Sequence, residues 1–463
     1  MVKYSTYPAY KPSNIGWLGD IPEHWEVWKV THGFDIIGSG TTPKSDNPLF
    51  YNGCIPWVTT SELRENVITD TAQKVTKEAV NSHSALKIYS KGSLAIAMYG
   101  ATIGRLGILG VDAAFNQACC VFSKPTVFDS RFVYYWLWMR RPILISLSNG
   151  GGQPNLSQDD LKKLWIPTPR IEEQEVIAKF LNFKTAQIDV LISKQKTLLD
   201  KLAEKRTALI SHAVTKGLDP SVPMKDSGGV WLGSVPSHWK RGVKLNYLAA
   251  QKRNSFVNGP FGSDLLSSEL TDNGIPVIYS GDVKPNRFYR KSSSYVTTEK
   301  AEQLNFCRVD PGDLLLAKVG DPPGDAAIYP SDAPSGIVTQ DVVRIKLNDE
   351  IVDTQYLTFL LNSTYGRFVV RTVSVEATRG RFSLGDFKSL RFVMPPLHEQ
   401  RQIVKIVVSH ISPILNLEDK VIESIKKLQE YRSTLIANAV TGKIDVRDFS
   451  IPENCESQRA ECA

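Results

Sequence analysis

Two short stretches carry side chains suited to reading a polar edge. SNGGGQPNLS runs from Ser148 to Ser157, and SVEATRGRFSL runs from Ser374 to Leu384. Aligned at an offset of 226, Gln153 faces Arg379 and Asn155 faces Arg381. An amide offers a donor and an acceptor side by side, which suits the edge of an adenine. A guanidinium offers parallel donors, which suits a guanine. A plainer reading stays open: a framework turn that meets phosphates or nothing.

Other stretches only approach known chemistry. DPPG, Asp321 to Gly324, lacks the final aromatic ring that would stack on a flipped base. Gly324 cannot stack, so the stretch reads as a turn. GATIGRLGILG is glycine-rich but lacks the Lys-Ser/Thr of a phosphate loop. No H-E-x-x-H, serine elbow or G-x-G-x-x-G following a strand appears. The cysteines Cys54, Cys119, Cys120, Cys307, Cys455 and Cys462 form no C-x-x-C pair and no Cys/His cluster with zinc spacing. These readings point away from catalysis, with no cofactor and no metal.

The elements that must position such residues come in two copies. WLGDIPEHW, from Trp17, recurs as WLGSVPSHW from Trp231. EKRTALISHAVTKGLD, from Glu204, recurs as EYRSTLIANAVTGKID from Glu430, with Glu173-Gln174 facing Glu399-Gln400 at the same offset of 226. Between these echoes the likeness fades, with Pro56 facing Pro276 and Gly100 facing Gly320. A unit of roughly 220 residues is therefore duplicated in tandem, far longer than a solenoid repeat. Trp17, Pro22 and Trp25 are expected to seal the start of a domain against a helix.

Each interior reads as a mixed α+β domain. GSLAIAMYG and GDLLLAKVG are short apolar runs bounded by glycine, as buried strands are, and RFVYYWLWM and QYLTFLLNS read as helical turns. Glu172 to Lys216 holds neither proline nor glycine. Leu181, Lys184, Ile188, Leu191, Gln195, Leu198, Leu202, Lys205 and Leu209 step by threes and fours, a heptad seam. The second copy places Ile414, Leu417, Val421, Ser424, Leu428, Tyr431 and Leu435 on its seam, with a kink or break expected near Pro413. Two such helices cover each other best as an antiparallel pair about a pseudo-two-fold axis.

The chain's 463 residues exceed one core, and 55 Lys and Arg against 48 Asp and Glu leave a formal charge of +7. That excess suits a polyanion without demanding one. FVYYWLWM is too short to span a bilayer, so no membrane contact is expected. The amino-terminal stretch lacks a signal-peptide core, and a cytoplasmic setting is expected.

The order of these parts resembles the specificity subunit of type I restriction-modification systems. WLGDIPEHW with WLGSVPSHW, IPTPRIEEQEVIAKFL with MPPLHEQRQIVKIV, and AVTKG with AVTGK carry the likeness over nearly the whole chain. The resemblance implies two globular target recognition domains, separated by two long antiparallel helices forming a coiled-coil spacer. Residues 1–170 and 218–396 would be the domains, 171–217 and 397–446 the helices, and 447–463 a tail. Each domain would read one half of a split, asymmetric site on double-stranded DNA. The helices would bind two methyltransferase subunits, and motor-nuclease subunits would complete the complex. The chain itself would be non-catalytic. The candidate DNA contacts are Lys44, Thr59, Thr60, Arg105, Gln153 and Asn155 in the first copy. In the second they are Ser263, Tyr279, Ser280, Lys318, Arg379 and Arg381. Two other readings remain open: a bivalent DNA-binding regulator or scaffold without a methyltransferase partner, and a self-sufficient DNA-modifying enzyme.

Overall fold

A computed structural model describes residues 4–146, 155–229, 232–260, 262–320, 323–374 and 383–452. Gln153, Trp231, Asp321, Arg379 and Arg381 lie outside the described residues. The chain divides into two compact units, one of residues 1–195 and 423–463, the other of residues 196–422. The expected boundaries at 170/171 and 396/397 separate elements but not these units, because each unit takes part of both long helices.

The first unit holds a five-stranded and a four-stranded sheet. The strands of these two sheets are β1 (Phe34–Gly38), β2 (Tyr51–Val58), β3 (Asn66–Ile68), β4 (Lys74–Val75), β5 (Ile88–Tyr89), β6 (Leu94–Ala97), β7 (Leu106–Leu109), β8 (Ala113–Phe115) and β9 (Cys119–Pro125). The orders are β1-β9-β6-β7-β3 and β4-β2-β8-β5. β3 pairs with β7 and β2 with β8 in parallel; the other pairs are antiparallel. The run Leu94-Ala95-Ile96-Ala97 is fully buried, as a central strand covered on both faces must be. Helix α1 (Ser130–Ser146) lays Phe132, Val133, Trp136 and Leu137 into the same core.

The second unit repeats the plan with β10 (Phe256–Asn258), β11 (Ile275–Ile278), β12 (Tyr295–Val296), β13 (Arg308–Val309), β14 (Leu314–Ala317), β15 (Ala326–Ile328), β16 (Gly336–Val338) and β17 (Val342–Ile345). The orders β10-β17-β14-β15 and β12-β11-β16-β13 match the first unit strand for strand, save that β3 has no counterpart in the sheet. A hairpin, Val283–Lys284 paired with Arg287–Phe288, follows β11 instead. Helices α3 (Thr354–Asn362) and α4 (Thr364–Ser374) take the place of α1. The duplication legible in the frameworks thus extends through interiors whose sequences have diverged.

The long helices are α2 (Ile171–Lys216) and α5 (Leu397–Val440). Prolines precede both, at Pro169 and at Pro395-Pro396, and acidic residues in each first turn favour the positive end of the helix dipole. Gly217 and Gly442, at φ +75° and +72°, end them in the left-handed region. The helix runs through Pro413 without a break. Its ring removes one backbone bond, while Ile411 and Ile414 stay buried on either side.

The seam of α2 differs from expectation. Leu181, Thr185, Ile188, Ile192, Leu202 and Ile210 are buried, whereas Leu191, Leu198 and Leu209 are exposed. The three-and-four stepping holds with Leu181, Ile188 and Leu202 in place, but Thr185, Ile192 and Ile210 take the inward positions expected of Lys184, Leu191 and Leu209. On α5, Ile414, Val421 and Leu435 are buried as expected and Leu417 is 42% exposed. Glu418 takes the inward place beside it and accepts from Arg206 at 2.8 Å within the second unit. In the first unit Arg432 donates to Asp189 at 3.0 Å. Each pair joins a residue of α2 to one of α5 in antiparallel sense.

Candidate nucleic-acid interface

The framework phrases form a clamp at the root of each unit. Trp25 is fully buried, and its indole N–H donates to Glu173 Oε1 at 3.0 Å. The Tyr7 hydroxyl donates to the same oxygen at 2.7 Å, and His24 bonds the other oxygen at 2.8 Å. Burial, then the bond to Glu173, raises the Tyr7 phenol far above its ordinary range, so it stays a donor. The second unit repeats the clamp with Trp239 and His238 on Glu399, at 3.0 and 2.7 Å. The next residue is also repeated. Gln174 accepts from the Asp129 N–H and donates to Val127 and Pro169. Gln400 does the same with Asp353, Ile351 and Pro395. The Glu-Gln echo thus fastens each long helix to its own domain. Trp17, expected to seal the start of the domain against a helix, takes no part in this clamp; it is 44% exposed and packs on α1, with the Arg140 guanidinium 3.6 Å and the Trp136 ring 6.3 Å from its ring centroid.

From this anchored base, the strand ends build one rim per unit. In the first, Asn116 after β8 donates to Val58 at the end of β2. Met98 after β6 donates to Ala118 and accepts from Leu156, and Tyr99 bridges Asn155. The loop after β1 is drawn to the same edge. Gly40 bonds Asn116, and Thr42 bonds Gln117 at 2.6 Å. A Cβ on Gly40 would lie 1.6 Å from the Phe115 carbonyl oxygen, so only glycine fits there.

Five first-copy candidates lie on or next to these segments; the sixth, Gln153, is outside the described residues. Lys44 is exposed on the loop after β1, and Asn155 is exposed beside Tyr99. Thr59 and Thr60 are half-buried just past β2, with the Thr59 hydroxyl bonded to Ser61 at 2.8 Å. Arg105 is half-buried, its backbone joined to Ala97 at the end of β6.

The second rim uses the same joints. Gly259 bonds Thr339 after β16, and Thr339 donates to Ile278 at the end of β11. Lys318 after β14 donates its backbone N–H to Asp341. Ser263 is exposed on the loop after β10, and Tyr279 and Ser280 are half-buried just past β11. Asp282, buried, holds that turn by accepting from the N–H groups of Tyr279 and Lys291 at 2.9 and 2.8 Å. The Lys318 side chain, expected on a loop surface, is only 7% exposed. Lys284 and Arg371, absent from the sequence candidates, line a cleft beside Ser280. No group of His, Cys, Asp and Glu fit for a metal ion occurs among the described residues, and no described helix is long and apolar enough to cross a membrane.

Comparison with known proteins agrees with this doubled plan. The family model described as the type I restriction modification DNA specificity domain matches residues 22–199 and again residues 262–427. The MjaVIII specificity subunit of Methanocaldococcus jannaschii is 23% identical, with 93% of this chain and 95% of that protein covered. The EcoKI specificity subunit of Escherichia coli is 22% identical, covering 92% and 90%. A solved chain from work on complex assembly and conformational transition of the type I R-M system shares the fold, with TM-score 0.65, 14% identity, and 92% and 99% of the two chains covered. The chain therefore belongs to the type I restriction-modification DNA specificity family, as a specificity subunit and not an enzyme.

Proposed function

We propose that each unit reads one half of a split, asymmetric DNA site for a methyltransferase that this chain serves. One observation carries the reading: the same rim is built twice from the same backbone joints but presents different side chains. Lys44, Thr59 and Thr60 stand in the first where Ser263, Tyr279 and Ser280 stand in the second. A repeated scaffold with unlike contact residues suits two different half-sites, since base edges are distinguished by side-chain donor and acceptor patterns. Arg105 and Asn155 adjoin the first rim and are assigned the same role. Gln153, Arg379 and Arg381, outside the described residues, remain candidates on residue type alone. Buried Lys318 is assigned to the rim's support.

The two helices act as the spacer between readers and as the seat of two methyltransferase subunits, with restriction subunits joining the full complex. Their outward apolar residues, Val190 and Leu191 in the first unit and Leu417 and Ile422 in the second, suit burial against a partner. The test maps methylated adenines across the genome in cells with and without this gene. Loss of methylation at one bipartite, asymmetric sequence is expected. An identical methylation map in both strains would overturn the reading.

A further inference from the structure

Each rim carries a hairpin tip closed by the same joints. In the first unit Ala97, at the end of β6, donates its N–H to Arg105 and accepts from Gly104, both at 2.8 Å. In the second, Ala317, at the end of β14, donates to Asp325 and accepts from Gly324, again at 2.8 Å. The residue after each alanine is tied down as well. The Met98 N–H donates to Ala118 and the Lys318 N–H to Asp341, both at 2.8 Å. These bonds make Tyr99 and Val319 equivalent. Both hold an apolar body in the open, Tyr99 at 39% and Val319 at 43% exposure. Each adjoins a proposed base reader: Tyr99 bridges Asn155, and Val319 lines one cleft with Ser280. The rest of the two tips has diverged, with Ala101-Thr102-Ile103 facing Asp321-Pro322-Pro323 in the sequence. A lone exposed apolar side chain is ordinary. The same exposure at both matching positions of unlike tips points to a shared use.

We propose that Tyr99 and Val319 are apolar base readers, each seated against the C5-methyl group of a thymine in its own half-site. This rests on the DNA-reading function proposed above and names the group that two further residues recognise. The major-groove edge of DNA carries polar donors and acceptors and one apolar group, the thymine methyl. Val319 has no hydrogen bond to offer a base edge, and the Tyr99 ring is mostly carbon. Neither carries a positive charge to offer a phosphate. Both are also stiff: Val319 is branched at Cβ, and Tyr99 turns about only two bonds. On a tip whose backbone is fixed by the bonds above, such side chains keep their register, as the readout of a single methyl requires.

The experiment uses the full-length chain assembled with its methyltransferase. Duplexes carry the mapped site with each thymine in turn replaced by deoxyuridine, which lacks only the methyl. For the unaltered chain, one such replacement in each half-site should weaken binding about fourfold, the equivalent of one buried methyl at about 0.8 kcal/mol. This scan needs no variant to fold. Val319→Ser should abolish the difference in one half-site and keep it in the other, and Tyr99→Ser should do the reverse. Val319→Ile and Tyr99→Phe keep the apolar surface and should keep the fourfold preference. The readout is a ratio of affinities for two duplexes, which a smaller share of folded protein does not move. A half-site without a methyl-sensitive thymine overturns the assignment for its residue. So does a sensitivity that survives the serine variants, which would belong to the shape of the DNA or to the methyltransferase, and so do two variants that act on the same half-site. If the unaltered assembly binds a scrambled duplex as tightly as the mapped site, the proposed function itself falls.

Discussion

Trp239 donates its indole N–H to Glu399 Oε1 at 3.0 Å, bridging 160 residues of chain. Trp25 and Glu173 repeat the bond at the same length, but there Tyr7 adds a second buried donor. The two clamps are therefore unequal. Glu173→Ala leaves the Trp25 indole and the Tyr7 hydroxyl buried without an acceptor, each costing roughly 1–3 kcal/mol. Glu399→Ala strands only the Trp239 indole, since His238 is half exposed to water. Thermal unfolding should show the larger drop for Glu173→Ala. Equal drops would mean that Tyr7 finds another partner.

Gly442 separates the two helix ends in the same way. It stands at φ +72°, and a Cβ there would lie 2.4 Å from Pro22 Cδ, in the framework phrase. Gly217, at φ +75°, would meet nothing closer than 3.3 Å. Gly217→Ala should cost only the left-handed backbone strain, about 1–2 kcal/mol. Gly442→Ala adds a clash with a rigid proline ring and should cost more. Melting temperatures of the two variants decide it, and a milder Gly442→Ala would show that Pro22 yields.

Much of this architecture is legible in the sequence because the frameworks are written twice. Repetition marked Glu173-Gln174 and Glu399-Gln400 as equivalent, yet their role stayed hidden, since Trp25 and Trp239 lie far from them along the chain. The α2 seam departs from its sequence pattern at single positions, as where Leu191 and Ile192 are both apolar. Periodicity alone cannot choose between such neighbours; the partner helix does, and it buries Ile192. The strand runs were plain where both faces are covered, as at Leu94–Ala97 and Leu314–Ala317. The order of strands was not, because it depends on pairings between residues far apart. Lys284 and Arg371 are far apart in the sequence and line one cleft only because α4 packs beside the rim.

Asp310 makes the second unit acid-sensitive. Partial burial alone would raise its carboxyl, but bonds from Lys346 at 2.8 Å, Ser335 at 2.7 Å and Arg308 at 2.9 Å more than offset this and hold it well below the ordinary carboxylate range. A carboxyl with a depressed folded value stabilises the fold above its unfolded value, near about 4, and loses that contribution as pH falls through the folded one. With a third of the side chain exposed, screening limits the effect to roughly 1 kcal/mol or less. Asp310→Asn should therefore melt lower than the parent at pH 7, and the gap should close as pH falls below about 4. Buried Asp313 is shifted the other way, chiefly by burial, so it works against acid loss; the Asp310 charge adds to that shift, and the variant removes this addition. A gap independent of pH would assign the stabilisation to shape and not to charge.

The duplication itself can be tested with half of the chain. In the first unit, the start of α2 closes on Leu435, Ile436, Ala439 and Val440 of α5, and Gly442 rests on Pro22 and Trp25. A fragment from Met1 to Pro220 lacks those α5 residues and Gly442. Each uncovered apolar side chain costs about 1.5–3 kcal/mol, too much for a stable monomer. The fragment nevertheless carries their equivalents at the offset of 226: Leu209, Ile210, Ala213 and Val214 on its own α2. Arg206 likewise stands where Arg432 does, and Arg432 bonds Asp189. Two fragments can therefore close on each other, the end of each α2 covering the start of the other, with Arg206 of one copy meeting Asp189 of the second. Such an arrangement has two-fold symmetry, the commonest form of small oligomers. The fragment should sediment as a dimer. Asp189→Arg should weaken it by like charge, and adding Arg206→Asp should restore it by exchanging the pair. With the methyltransferase supplied, two identical readers should direct methylation to a palindrome of one half-site. A folded monomer, or methylation that still carries both original half-sites, would show that the second copy does more than replace the first.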